Sequence, residues 1–457
     1  MKKNTKKFAR QNAAPTHRPT PAHRAAPTPS LPQLVQIEKP IYGGAFLTHA
    51  EGKAVFVPLA LSGEEARVRV LEAKRNYATA EIEEIVTAAP ERVVPACRHF
   101  GICGGCQYQH ADYATQLAYK QTILRETLER GHLSAPDEMT VLAAEPWGYR
   151  NRIRLAFDAE GHPGYRGRRS HDVVPLAECP IAAPLLVRAA LASGELAHAL
   201  PPHYRPSEIS LFCNADETEL LVGVTVAAGN KALWEEFAQS FVEKIPETKG
   251  IEFASESAPG ELPRQLTHWG AGSLVYRVAP FDYRVDQGAF FQVNRWLVEQ
   301  LAECVTAGQS GAVAWDLFAG VGLFARRLAE QFAHVIAVES APAAEAALQH
   351  NLRETNAEAV SATTDKFLRG AVRNARPDLI VVDPPRTGLG AEVTTLLAHV
   401  AAPALVYVSC DPATLARDLR TLLDAGYAIE SISLADLFPQ TFHLETIVRL
   451  RAKASNS

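Results

Sequence analysis

At 457 residues, with a net charge of −5 and 47% apolar residues, the chain is too long for one hydrophobic core and predicts about three globular domains. It holds no apolar run of the ~18–20 residues a membrane-spanning helix needs, and Met1-Lys2-Lys3-Asn4 leads into no apolar signal core, so the expected compartment is the cytoplasm with no membrane partner. Seven cysteines, an odd number, argue against a disulfide framework and for thiol or metal chemistry, while the acidic balance leaves any attraction to nucleic acid to local basic clusters.

Residues 1–30 read as a disordered basic tail. Lys2, Lys3, Lys6, Lys7, Arg10, Arg18 and Arg24 all precede the first acid, Glu38, among Pro, Ala and Thr that bury too little to fold. From residue 31 to 90 the pattern changes to short period-two strands at 35–37, 52–57, 66–71 and 78–82, with turns at Gly43-Gly44, Glu51-Gly52 and Ser62-Gly63. That spacing predicts a small OB-like β-barrel. Such barrels bind single-stranded nucleic acid on a basic face with aromatics, here Lys74, Arg75 and Tyr77, although a simple spacer would show the same pattern.

A central α/β domain is expected over 91–282. It opens with Cys97, Cys103 and Cys106, spaced C-x5-C-x2-C in a Gly-rich loop, and Cys179-Pro180 supplies the natural fourth thiolate. Four thiolates suit zinc or an iron–sulfur cluster, and the spacing alone leaves both open. It is not the C-x3-C-x2-C spacing of a radical generator. A helix over 111–130 follows, with Leu117, Leu124 and Leu128 as its apolar stripe and Gly131 as its stop. The stretch 149–157 alternates as a strand with Arg150, Arg152 and Arg154 on one face. With Arg166, Arg168 and Arg169 after it, this is a candidate phosphate-binding row as well as an ordinary solvated face. A strand at 219–226 and a helix at 231–244 carry no visible chemistry.

Over 283–457 strand and helix alternate regularly. Strands at 312–318, 334–339, 359–364, 378–383 and 404–409, with helices between, predict a doubly wound parallel sheet. The first strand runs into Asp316-Leu317-Phe318-Ala319-Gly320-Val321-Gly322, and Glu339 ends the second, where an acid holds a ribose diol. That D-x-x-x-G-x-G pattern fits S-adenosylmethionine better than a dinucleotide. Asp383-Pro384-Pro385-Arg386 ends the fourth strand. The fifth ends in Ser409-Cys410-Asp411-Pro412, where Asp411 can cap a helix that begins at Pro412 and Cys410 sits at its N-terminus. Glu445, at the start of a final strand, is a candidate base.

Six pieces in order resemble the family of S-adenosylmethionine-dependent RNA uridine C5-methyltransferases. They are Cys97-x5-Cys103-Gly-Gly-Cys106, Phe290-Phe291-Gln292-Val293-Asn294, the Asp316–Gly322 loop, Asp383-Pro-Pro-Arg386, Ser409-Cys410-Asp411 with its helix, and His443-Leu444-Glu445-Thr446. The match is closest to the branch that acts on 23S ribosomal RNA and carries an N-terminal TRAM barrel and a [4Fe-4S] cluster. The resemblance implies a Rossmann-like class I methyltransferase domain in which Cys410 is the nucleophile and Glu445 the base. It implies that Gln292, Phe318, Glu339, Asp383 and Asp365 line the cofactor site, that Cys97, Cys103, Cys106 and Cys179 hold the cluster, and that a monomer acts on RNA. Asp411 departs from the family, where asparagine is common. A carboxylate there should raise the neighbouring thiol's pKa. Alternatives are a transfer-RNA uridine C5-methyltransferase, an amino-group methyltransferase, for which Arg386 stands where an aromatic is usual, and a non-catalytic iron–sulfur RNA-binding protein.

Overall fold

A computed structural model describes residues 32–136, 138–227, 230–257, 264–371 and 376–453; the expected tail at 1–30 lies outside them. The N-terminal strands β1 (Gln33–Gln36), β2 (Lys39–Pro40), β3 (Ala45–Ala50), β4 (Lys53–Pro58), β5 (Glu65–Ala73) and β6 (Tyr77–Thr87) form one sheet in the order β1-β5-β6-β4-β3-β2. Val35, Phe46, Val55, Val57, Val68 and Ala80 point inward and are buried, as period-two alternation dictates. The pattern hid β3 because one of its inward residues is Thr48, which is buried by donating to the Gln36 carbonyl at 2.6 Å.

Helix α1 (Tyr113–Arg130) begins where Asp112 accepts from the Thr115 N–H, and β7 (Thr140–Leu142) follows it. The central sheet holds β8 (Arg152–Phe157), β9 (Pro163–Arg166), β10 (Val173–Pro175), β11 (Glu208–Cys213), β12 (Leu220–Val226), β13 (Thr248–Ser255) and β14 (Gln265–Gly270). One face packs Leu155, Leu211 and Val222 against α2 (Pro184–Ala199) and α3 (Lys231–Lys244), through Leu186, Trp234 and Phe241. On the other face Phe212 and Leu221 join the core of the C-terminal domain, together with the hairpin β15 (Ser273–Val278) and β16 (Phe281–Asp286). The expected boundary at 282/283 therefore falls inside β16. The hairpin's Leu274, Tyr276, Tyr283 and Val285 bury their apolar surface on the C-terminal side.

After α4 (Val298–Thr306) the chain alternates β17 (Gly311–Leu317), α5 (Leu323–Leu328), β18 (Phe332–Glu339), α6 (Pro342–Leu352), β19 (Ala357–Ser361), α7 (Thr364–Ala371), β20 (Leu379–Val382), α8 (Gly390–Val400), β21 (Ala404–Ser409), α9 (Pro412–Asp424), β22 (Tyr427–Ala435) and β23 (Glu445–Ala452). The sheet order is β19-β18-β17-β20-β21-β23-β22-β7. Its first five strands are parallel, β23 runs antiparallel between β21 and β22, and β7 adds an edge from the N-terminal half. Trp315, Leu317, Val382, Leu405 and Tyr407 fill one face of the sheet, and Ala314, Val381, Val406 and Val408 the other. Strand order reverses between β17 and β20, which opens a crevice at their carboxyl ends. Among the described residues no helix is long and apolar enough to cross a membrane.

Candidate active site

Cys410 follows the last residue of β21 and is half-buried. Asp411 caps α9: its Oδ1 accepts from the N–H groups of Ala413 at 3.0 Å and Thr414 at 2.9 Å. Glu445 reaches the same place through register. β21 and β23 pair antiparallel with Ser409 opposite Thr446, so the next position on each strand sets Cys410 beside Glu445. Asp383 and Arg386 arrive from the neighbouring β20, whose Val382 pairs with Tyr407 of β21.

This corner is crowded with buried acidic groups. Burial pushes the Cys410 thiol up to about 12, Glu445 and Asp383 add to the rise, and Arg386 opposes it. Burial holds Asp383 near 7 and raises Glu445 well above the usual carboxylate range, with Asp383 adding to the second effect and Arg386 again opposing. Asp316 at the end of β17 is lifted to about 8 by burial, with Asp383 and Glu339 contributing. Arg386 also lies 3.3 Å from Nδ1 of His443. Burial first, then Arg386, lowers the His443 pKa to about 4, so the ring is neutral near pH 7.

The crevice at β17 and β20 has an open floor. Phe318, Gly320 and Gly322 all take positive φ, of 66°, 55° and 90°. A Cβ at Gly322 would meet Leu348 at 2.9 Å, so its reason is packing, whereas Gly320 faces open space. Asp316 is fully buried; one carboxyl oxygen accepts from the Ala325 N–H at 2.8 Å and the other has no partner among the described residues. Glu339 accepts from the N–H groups of Gly320 at 2.8 Å and of Ser340 and Ala341 at 2.6 Å, which ties the Gly loop to the end of β18. Gln292, buried, donates to Asp383 at 3.4 Å. Asp365 stands in the first turn of α7 and pairs with Arg369 at 3.2 Å.

Cys97, Cys103, Cys106 and Cys179 line a separate cavity with Gln109, Arg150 and Tyr165. All four thiols are raised by burial, Cys106 up to about 12. The loop is stitched to the central sheet, since the Gly104 N–H donates to Arg166 and the Arg168 N–H to Ile102. The arginine row is divided by its surroundings. Arg150 lies in the cysteine cavity, Arg152 sits over the Phe212 ring at 4.2 Å, and Arg154 is exposed and paired with Glu208. Arg166 donates to the His171 carbonyl, and Arg169 lies 3.5 Å from Glu81. The six arginines do not make one solvent-facing strip.

Pattern reading passed over the struts under the loop before Glu445. Lys120 of α1 donates to Asp436 at 2.5 Å and to the Phe438 carbonyl at 2.9 Å. Gln116, one turn earlier, exchanges two 2.9 Å bonds with Gln440. The N–H groups of Gln107 and Tyr108 both donate to the Gln440 carbonyl at 3.0 Å. One signal was available: Gln116 and Lys120 are four apart, on the same helix stripe as Ile123, Leu124 and Thr127. The N-terminal sheet also reaches the site, through Tyr42, whose hydroxyl donates to the Cys410 carbonyl at 3.4 Å.

Comparison with known proteins accords with this geometry. The family model described as tRNA (Uracil-5-)-methyltransferase matches residues 273–453, and the TRAM domain model matches residues 33–82. The 23S rRNA (uracil(1939)-C(5))-methyltransferase RlmD of Halomonas elongata is 32% identical over 416 residues, 88% of this chain and 85% of that protein. The RlmD protein of Chromohalobacter salexigens is 34% identical over 412 residues, 87% and 85% of the two chains. The crystal structure of Pyrococcus abyssi tRNA (uracil-54, C5)-methyltransferase with S-adenosyl-L-homocysteine shares the fold, at a TM-score of 0.72 and 24% identity over 92% of this chain and all of that one. With its N-terminal TRAM domain and its C-terminal methyltransferase domain, the chain belongs to the family of S-adenosylmethionine-dependent RNA uracil-C5-methyltransferases.

Proposed function

We propose that this enzyme forms 5-methyluridine in 23S ribosomal RNA, with Cys410 as nucleophile and Glu445 as base. The observation that carries the reading is the register of β21 and β23, which sets these two side chains side by side at the carboxyl edge of the sheet. Uracil C5 is a weak carbon nucleophile. Addition of the Cys410 thiolate to C6 forms a C–S bond and moves the C5–C6 electron pair onto C5 and O4, as an enolate. Bound S-adenosylmethionine supplies an electrophilic methyl group to that carbon. Glu445 then takes the C5 proton, the C5–C6 double bond re-forms, and the thiolate leaves; such proton transfers typically gain ~10²–10⁴-fold.

Gln292, Phe318, Glu339, Asp365 and Asp383 are the proposed cofactor contacts. The crevice fits a cationic ligand: among the described residues the buried Asp316 keeps one oxygen without a partner, and burial raises both Asp316 and Asp383 above the usual carboxylate range. Cys97, Cys103, Cys106 and Cys179 are the proposed ligands of a [4Fe-4S] cluster. The donor set fits that group: all four thiols line one cavity, and Arg150, which lines it too, offsets thiolate charge.

The ribosomal substrate rests on relatives above 30% identity whose names specify it. The TRAM domain, read as an OB-like barrel, would hold the RNA in part through Lys74, Arg75 and Tyr77, and the enzyme would act as a cytoplasmic monomer. Mapping 5-methyluridine in ribosomal and transfer RNA from cells with and without the gene tests the assignment. Loss confined to transfer RNA would overturn the substrate, and no loss in either would overturn the activity in cells.

A further inference from the structure

We propose that Arg152, on β8 of the central domain, is an RNA-binding residue that takes the backbone phosphate next to the uridine drawn into the active site. The inference deepens the reading above and rests on the target uridine entering the crevice beside Asp383.

Among the described residues Arg152 is a cation without an anion. Its Nε is buried with no partner, and its guanidinium makes neither an ion pair nor a hydrogen bond. What it does touch is the Phe212 ring, at 4.2 Å. Burial lowers its pKa to about 10, with no acid to counter the shift, so it stays charged at neutral pH. Its neighbours in the row differ. Arg154 pairs with Glu208, Arg166 donates to the His171 carbonyl and Arg169 faces Glu81. An aromatic face attracts a cation but satisfies none of a guanidinium's N–H donors. Leaving such a group buried and unpaired costs the fold stability, and an anion brought by a ligand removes that cost.

The position of Arg152 selects the ligand. The Asn151 N–H donates to the Val293 carbonyl at 3.0 Å, its side chain donates to the Gln292 carbonyl at 2.9 Å, and Arg150 bridges Asn294 in antiparallel sense. Two residues along that register Arg152 falls beside Gln292, whose amide donates to Asp383 in the crevice. Phe290, two residues before Gln292, is 61% exposed, so this flank is open to a macromolecule. Phe212 stands opposite Arg152 on β11 and stacks on the buried Tyr276 at 6.0 Å, a rigid floor for the guanidinium. The corner beyond holds Asp383, Glu445 and Asp316, groups that repel phosphate whenever they ionise. RNA carries a phosphate on each side of the target uridine, and a cation on this flank offsets the charge that the nucleotide brings with it. The planar fork of a guanidinium matches two phosphate oxygens at once.

The test compares the wild type with Arg152→Met, which keeps the packing on Phe212 and removes the charge, and with Arg152→Lys, which keeps the charge. The probe is a ribosomal RNA fragment holding the uridine that the enzyme methylates, with affinity read from about 0.05 to about 0.5 M salt. Arg152→Met is expected to weaken binding roughly five- to tenfold near 0.1 M salt and to lower the slope of log affinity against log salt by ~0.7–0.9, the share of one phosphate. Its melting temperature should not fall below that of the wild type, because the group removed has no partner in the free fold. Arg152→Lys should keep the slope, and affinity for S-adenosylhomocysteine should be the same in all three. A methylphosphonate in place of one phosphate flanking the uridine should weaken the wild type by the same factor and leave Arg152→Met unaffected. An unchanged salt slope, or a methionine variant that responds to each methylphosphonate as the wild type does, overturns the proposal. So does a loss of S-adenosylhomocysteine affinity with RNA binding intact, which would give the cation to the cofactor's carboxylate. A lower melting temperature with an unchanged slope would leave Arg152 a packing residue over Phe212 and nothing more. If the wild type methylates a transfer RNA fragment and no ribosomal one, the substrate reading fails, and the same measurements on that RNA decide the role of Arg152.

Discussion

Lys120 and Asp436 form an ion pair with both side chains completely buried, 2.5 Å apart and 316 residues apart in sequence. It joins α1 to the end of β22, and the loop it anchors runs from there to Glu445. Burial lowers the Lys120 pKa and Asp436 counters that shift. One oxygen of Asp436 has no hydrogen-bond partner among the described residues. A pair of this kind adds little net stability, but removing one partner strands a charge.

Lys120→Met is therefore expected to cost about 3–5 kcal/mol in denaturant unfolding. Replacing both residues, Lys120→Met with Asp436→Leu, should recover much of that loss. If the single change unfolds at the wild-type midpoint, the pair carries no such role.

Cys410→Ala should abolish methyl transfer and leave cofactor and RNA affinity within a few-fold of wild type, because the role proposed for the side chain is to react rather than to bind. Glu445→Gln should add to uracil and accept the methyl group, yet fail to remove the C5 proton. Protein joined to methylated RNA should then accumulate as a band of reduced mobility that proteinase removes. Normal turnover by the glutamine variant would end the base assignment.

The parts of this site legible in the sequence are those written in a few consecutive residues. β21 ends at Ser409 as its apolar run requires, and Asp411-Pro412 begins a helix as cap and first-turn residues do. The Gly loop and the four cysteines signal through spacing. Tyr42 signals through nothing local, and Gln116 and Lys120 only through their place on the buried stripe of α1, because their partners lie more than 300 residues away and exist only once the domains are packed. The arginine row shows the converse failure. Alternation placed Arg152 and Arg154 on one face, but Arg152 lies over the Phe212 ring while Arg154 is left in solvent.

Cofactor affinity should rise with pH. Asp383, near 7, and Asp316, near 8, hold protons in the ligand-free crevice that a cationic ligand would displace. Binding of S-adenosylmethionine should strengthen through about pH 7 to 8 and level off above. Calorimetry in buffers of different ionisation enthalpy should show proton release at pH 7. The same raised values make the ligand-free fold lose stability as pH rises from about 4 to about 8, since the folded acids keep protons that unfolded carboxyls have released. Asp316→Asn should flatten both trends. A flat affinity profile for the wild type would mean that these carboxyls do not face the ligand's charge.

The cysteine cavity and the loop before Glu445 are joined through one stretch of chain, and that sharing predicts what loss of the proposed cluster does. Cys106 is followed directly by Gln107 and Tyr108, whose N–H groups both hold the Gln440 carbonyl at 3.0 Å. Gln440 itself sits at φ 68°, unusual for a residue with a side chain, so the loop keeps its shape only while held from outside. Cys106→Ser and Cys179→Ser should each lose bound iron and acid-labile sulfide. Amide hydrogen exchange at Gln107, Tyr108 and residues 436–443 should then quicken, while β17 to β20 stay protected. The expected kinetic result follows from Glu445 lying just past that loop: slower release of methylated RNA from the covalent complex, with cofactor affinity little changed. Unchanged exchange at these residues after the iron is gone would show that the four thiols support their own loop and nothing beyond it.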